Sequence, residues 1–156
     1  MMEFRQSVEV ILARHSWAEP PRPDLADAAR VLTPDGRKRA EEMGKELVEH
    51  VSGSFVILCG PSNRTRETAQ AIAKALGTDS VIVHDDLHTS TTEERLVQRL
   101  MSIAAEGAVD VIIAVTHYPT VVDAIARLSP AHPMLYKSFE PGSWASVGNI
   151  MSARTP

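Results

Sequence analysis

The stretch Val8-Glu9-Val10-Ile11-Leu12-Ala13-Arg14-His15-Ser16-Trp17-Ala18-Glu19 decides how the chain is read. Val8–Ala13 is almost entirely apolar or β-branched, the pattern of a buried strand. It ends abruptly in Arg14 and His15, two groups suited to binding or attacking an anion. The same design recurs downstream. "FVILC" (Phe55–Cys59) predicts a second short buried strand, and Val81–Val83 a third. "VDVIIAVTH" predicts a fourth, whose near-continuous apolar run is expected when both faces of a sheet are covered.

Helical patterns fill the intervals. In "LTPDG", Thr33 is placed to cap, Pro34 suits the first helical position and Asp35 favours the positive helix end. Ala40, Met43, Leu47 and Val51 continue it at helical spacing. After "GPSN", the residues Ala69, Ile72, Ala73 and Leu76 mark a helix closed by Gly77. Thr91 and Glu94 have capping-box spacing before Leu96, Leu100 and Ile103. Val121, Ile125 and Leu128 predict a last helix, and "YKSFEPGSWASVGNI" one or two short strands. Alternating strands and helices define an α/β fold, with a mainly parallel sheet flanked by helices on both faces. Residues 1–156 read as one domain, without repeats or low-complexity tracts.

Composition narrows the functional classes. The chain is 44% hydrophobic and 23% charged, an ordinary globular mixture. Its formal charge of −4 and 4% aromatic content argue against a general nucleic-acid binder. No apolar run reaches membrane-spanning length, and the N-terminus lacks a signal-peptide pattern. The one cysteine, Cys59, cannot form an internal disulfide, which fits a cytoplasmic protein. The six histidines show no close metal-ligand spacing, so neither a metal nor another cofactor is expected.

Ligands of such sheets sit beyond the carboxyl ends of the strands. The first strand ends in Arg14-His15, the second runs into "CGPSNRTRETAQA" with Arg64 and Arg66, and the fourth ends in Thr116-His117-Tyr118-Pro119. Arginine presents a planar fork of donors that matches phosphate oxygens. A helix starting after Pro61 adds free backbone N–H groups. A histidine neutral near pH 7 can attack phosphorus and hold the phosphoryl group. Singly, each feature has a plainer structural explanation; their succession at strand ends points to a phosphate site carrying its own nucleophile.

As a set, Arg14-His15, "LTPDG", "PSNRTRETA" and "VTHYP" resemble the histidine phosphatase superfamily, whose fold is shared with cofactor-dependent phosphoglycerate mutases. The resemblance covers about the first 130 residues. It implies a phosphohistidine intermediate on His15, with Arg14, Arg64 and His117 binding the phosphate and stabilising its charge. It selects Arg64, three residues after Pro61, and leaves Arg66 as a neighbouring surface or supporting charge. Departures from the pattern are Ser16 for the usual glycine, Ser62 for leucine, Glu67 for glutamine and Tyr118 for glycine. Tyr118 is expected to border the substrate pocket and narrow or gate it.

Larger members of the superfamily place a carboxylate after the third strand to protonate the leaving alcohol. In "HDDLHTSTTEE" that position is Thr89; Asp85, Asp86 and His88 lie near by, where capping or solvated-loop roles are expected. General acid help is typically worth about 10²–10⁴-fold for a poor leaving group. A phosphoramidate, whose leaving imidazole needs less help, survives its loss. These features fit the small phosphohistidine phosphatases of SixA type, acting on a histidine-phosphorylated protein through an open pocket. Two alternatives remain: a small-molecule phosphomonoesterase using Asp86, His88 or acidity from the substrate, and a slow phosphate-binding module. No membrane partner is expected, and the oligomeric state is unreadable.

Overall fold

A computed structural model describes residues 4–129 and 139–154. Five strands form one sheet: β1 (Phe4–Arg14), β2 (Phe55–Cys59), β3 (Ile82–Val83), β4 (Val111–Thr116) and β5 (Trp144–Arg154). The order across the sheet is β3-β2-β4-β1-β5, and every pairing is parallel except β1 with β5. Among the described residues, four α-helices accompany the sheet: α1 (Pro34–His50), α2 (Asn63–Ala75), α3 (Glu93–Glu106) and α4 (Thr120–Leu128).

The period-two alternation of the strands sorts side chains to two cores. Val8, Val10 and Leu12 of β1, with Leu58, Ile112 and Ala114, pack against Leu96 and Leu100 of α3 and Val121, Val122 and Ile125 of α4. Ile11, Ala13, Ile57, Cys59, Ile113 and Val115 face the other way, onto Met43 and Leu47 of α1 and Ala69, Ile72 and Ala73 of α2. All six residues of β4 are buried because it lies between β2 and β1, with helices on both faces. This is the physical reason for its unbroken apolar run.

The helix starts follow the expected chemistry, with one correction. Thr33 accepts a hydrogen bond from the Gly36 amide at 2.9 Å, with Pro34 beginning α1. In α3 the cap is Thr92, which accepts from the Arg95 amide, and not Thr91. The two threonines are adjacent, and spacing alone does not distinguish which one leaves the helical conformation. The third strand is shorter than expected, two residues at the sheet edge. The first is longer at both ends, because β5 extends the pairing back to Phe4 and β4 carries it forward to Arg14. Of the C-terminal stretch, Trp144–Ile150 belongs to β5, while Tyr136, Lys137 and Ser138 lie outside the described residues. Before β5, Gly142 takes φ +83°, a conformation that favours glycine, and its amide donates to the His15 carbonyl at 3.0 Å.

Candidate active site

The strand order puts the carboxyl ends of β1, β4 and β2 side by side. Arg14 pairs with Thr116, and the His15 amide donates to the Thr116 carbonyl at 3.1 Å, so residues 15 and 117 emerge together. Beyond β2, Ser62 caps α2, and Arg64 lies in that helix's first turn. Two hydrogen bonds fasten these pieces to each other. The Ser16 amide donates to Thr68 Oγ1 at 3.0 Å, and that hydroxyl donates to the Arg64 carbonyl at 2.8 Å. Thr116 Oγ1 likewise donates to the Leu87 carbonyl at 3.0 Å, tying β4 to the loop after β3.

Arg14, His15, Arg64, His117 and Tyr118 line one cavity of about 350 Å³, together with Trp17, Arg30 and Thr89. The two imidazoles meet edge to face, ring centroids 5.3 Å apart. His15 Nδ1 donates to the Ser16 carbonyl at 2.7 Å. A carbonyl only accepts, so the proton is on Nδ1 and the lone pair of the neutral ring is on Nε2. Burial pushes the His15 pKa down to about 4; the Ser16 hydrogen bond opposes this, and the Arg64 and Arg14 charges add to it. His117, 5% exposed, is pushed down to about 3, by burial first and then by His15 and Arg64. At neutral pH both rings are therefore uncharged.

The cations are held differently. Arg14 Nη1 donates to the Phe139 carbonyl at 2.9 Å, and its guanidinium carbon lies 4.7 Å from the centre of the Tyr118 ring. Tyr118 stays 45% exposed, so it forms one wall of the cavity rather than a plug. Arg64 is 3% exposed, and both its terminal nitrogens donate to Asp27. Arg14 Nε, Arg64 Nε and His117 Nε2 are buried without a hydrogen-bond partner among the described residues. Such groups are costly unless something polar meets them. All three belong to residues that line the one cavity, and the two arginine Nε–H groups are donors suited to an anion.

The structure also places the residues that depart from the family pattern. Ser16 is buried and bonds through its amide; Ser62 supplies the α2 cap; Glu67 accepts from the Leu32 amide at 2.8 Å and pairs with Arg37. Arg66 is exposed, away from the cavity lining. Asp86 is bound by Arg99 Nε at 2.9 Å and does not line the cavity, whereas His88 borders a smaller adjoining one with Asp27, Thr89 and His117. Sequence reasoning missed Asp27 and Arg30. Their only signal is the spacing of three across "DAAR", legible once a short 3-10 turn is known at Asp27–Ala29. A larger groove of about 510 Å³ lies between α1 and α2, lined by Glu41, Lys45, Val48 and Lys74, with none of this chemistry. Among the described residues, no cluster of three His, Cys, Asp or Glu side chains is placed to hold a metal ion.

Fold and cavity together describe an α/β protein whose parallel strands open, at their carboxyl ends, on a pocket lined by three arginines and two histidines. Residues 10–90 match the histidine phosphatase superfamily (branch 1), and the chain belongs to that superfamily. Among solved structures, one assigned to phosphohistidine phosphatase SixA from Agrobacterium tumefaciens is 24% identical, with TM-score 0.76, covering 96% of this chain and 98% of that one. The protein histidine phosphatase SixA complexed with tungstate is 21% identical, with TM-score 0.77 and coverage of 93% and 94%. A phosphoserine phosphatase mutant from Entamoeba histolytica, in complex with phosphoserine, is 17% identical, with TM-score 0.66 and coverage of 92% and 94%. These likenesses show the fold. No curated protein matches the chain in sequence.

Proposed function

We propose that the protein is a phosphatase of SixA type, which removes the phosphoryl group from a histidine-phosphorylated protein through a covalent intermediate on His15. The observation that carries this reading is the meeting of two neutral imidazoles and the Arg14 and Arg64 guanidiniums in one cavity where, among the described residues, Thr89 and no carboxylate lines the wall, the Asp27 carboxylate at its edge being taken up by Arg64 and Arg30. In the first step the His15 Nε2 lone pair attacks phosphorus in line. The bond from phosphorus to the substrate nitrogen breaks, and its electron pair stays on that nitrogen. The leaving ring, protonated on its other nitrogen, departs as neutral imidazole, so no carboxylic acid is required. Arg14, Arg64 and His117 hold the equatorial oxygens while negative charge spreads over them. In the second step water attacks phospho-His15, releasing phosphate and regenerating the imidazole.

Support for the protein substrate comes from leaving-group chemistry. An alcohol leaving group without an acid forfeits about 10²–10⁴-fold in rate, whereas a phosphoramidate does not. The SixA-named proteins among the structural neighbours agree with this choice of class. The buried free thiol of Cys59 agrees with a reducing cytoplasmic setting.

The test is incubation with a labelled phosphodonor and mapping of the label, in parallel for wild type and His15→Ala. The expected adduct is acid-labile, sits on residue 15, and vanishes in the variant, with turnover lowered by at least ~10³-fold. Turnover of a phosphohistidine protein should exceed that of sugar phosphates and p-nitrophenyl phosphate. Preference for the small esters would instead establish a phosphomonoesterase, and phosphate binding without any label on His15 a binding module.

A further inference from the structure

Among the described residues, Asp27 alone grips the Arg64 guanidinium. Its Nη1 donates to the Asp27 backbone carbonyl and its Nη2 to the Asp27 carboxylate, both at 2.9 Å. The other oxygen of that carboxylate accepts from Arg30 Nε at 3.1 Å and Arg30 Nη2 at 2.9 Å. Arg30 Nη1 donates to the Glu19 carbonyl at 2.8 Å, and Arg30 lines the cavity beside Arg14 and Arg64. One carboxylate thus bridges two arginines at the mouth of the anion site.

The geometry favours positioning over blockade. Both donors that Asp27 occupies lie at the terminal end of the Arg64 guanidinium. Nε, on its side edge, is buried without a partner among the described residues. A guanidinium pinned by its end still offers Nε–H and the neighbouring Nη2 proton as a fork for two oxygens of one anion. The charges also match. Three guanidiniums and one carboxylate, with both histidines neutral, leave two net positive charges for a phosphoryl dianion.

We propose that Asp27 is a positioning residue, which fixes Arg64 and brings Arg30 to the site as a third cation; its role toward phosphate rests on the phosphatase reading above. The device comes from the proline-rich segment between β1 and α1, whose link to the site runs through the short turn Asp27–Ala29. Two flexible arginine side chains, costly to immobilise singly, become one prearranged clamp.

The test uses the full chain, with inorganic phosphate as the binding probe and the Arg64 Nε–H signal in nitrogen-15 spectra as a ligand-free readout. Asp27→Ala should weaken phosphate binding by about tenfold to a hundredfold, as expected when charge-assisted hydrogen bonds are lost. It should also broaden or erase the Arg64 signal. Asp27→Asn keeps an oxygen for one arginine and should fall between Asp27→Ala and wild type. Unfolding temperature is recorded in parallel, because Asp27→Ala leaves the buried Arg64 guanidinium without its carboxylate. In an Arg64→Met background, which preserves bulk at the buried site, the penalty of Asp27→Ala should shrink by several-fold. Tighter phosphate binding by Asp27→Ala would show that the carboxylate competes with the anion, and would overturn the proposal. So would an unchanged Arg64 signal, or an undiminished penalty in the Arg64→Met background. If wild type binds no phosphate yet Asp27→Ala erases the Arg64 signal, positioning stands and the phosphatase reading falls.

Discussion

The depressed pKa of His15 makes a sharp demand on how the protein behaves in mild acid. Lowering the pH from 7 to 5 is the perturbation. With a pKa of about 4, about nine tenths of the His15 rings remain neutral at pH 5; at the ordinary value of 6.5 only about 3% would. The nucleophilic form therefore differs about thirtyfold between the two cases. Proton and nitrogen-15 titration of the imidazole, in phosphate-free buffer, reads this directly. The acid limb of kcat/KM, which reports free-enzyme pKa values, checks it against turnover. Burial is the leading cause and the Arg64 charge a smaller one, so in Arg64→Met the ring should still titrate well below 6.5. The same shift sets the direction of stability. The unfolded chain takes up protons on these histidines near pH 6.5, whereas the folded rings resist to about 4 and about 3. The unfolded state thus binds more protons across that window. The contribution to stability is full above pH 6.5 and is lost as the pH falls through the window. A His15 ring that protonates between pH 6 and 7 would refute the desolvated, Nδ1-protonated imidazole and the mechanism built on it.

Two further substitutions test the frame around the site. In Gly60→Ala, the added Cβ would overlap the Leu87 carbonyl oxygen, which also receives the Thr116 hydroxyl. Backbone cannot swing aside as a flexible side chain can, so destabilisation of about 1–3 kcal/mol is expected in denaturant unfolding, with activity reduced because His117 is adjacent. Leu12→Ala empties a fully buried position in the core beneath α3 and α4 and should cost about 2–5 kcal/mol, with kcat/KM nearly unchanged in the fraction that remains folded.

Much of this protein is written in short-range order. Short apolar, β-branched runs marked β1, β2 and β4, and the cap chemistry of Thr33-Pro34 the start of α1, because such signals act within a few residues. Arg14, His15 and His117 could be singled out because each stands at a strand end, where an α/β sheet presents side chains to a ligand, whereas Arg64 and Arg66 share a helix start and only the resemblance to the superfamily chose between them. The sequence by itself therefore determined the layered architecture and the kind of chemistry. Tertiary structure decided the rest. Which of Thr91 and Thr92 caps α3 depends on a backbone rotation that spacing does not encode. Placing β4 between β1 and β2 is what brings His15 and His117 within 5.3 Å. Asp27 and Arg30 looked like ordinary charges in a proline-rich loop. They acquire meaning only when that segment folds across the strand ends, because a hydrogen bond spanning 37 residues leaves no periodic trace along the chain.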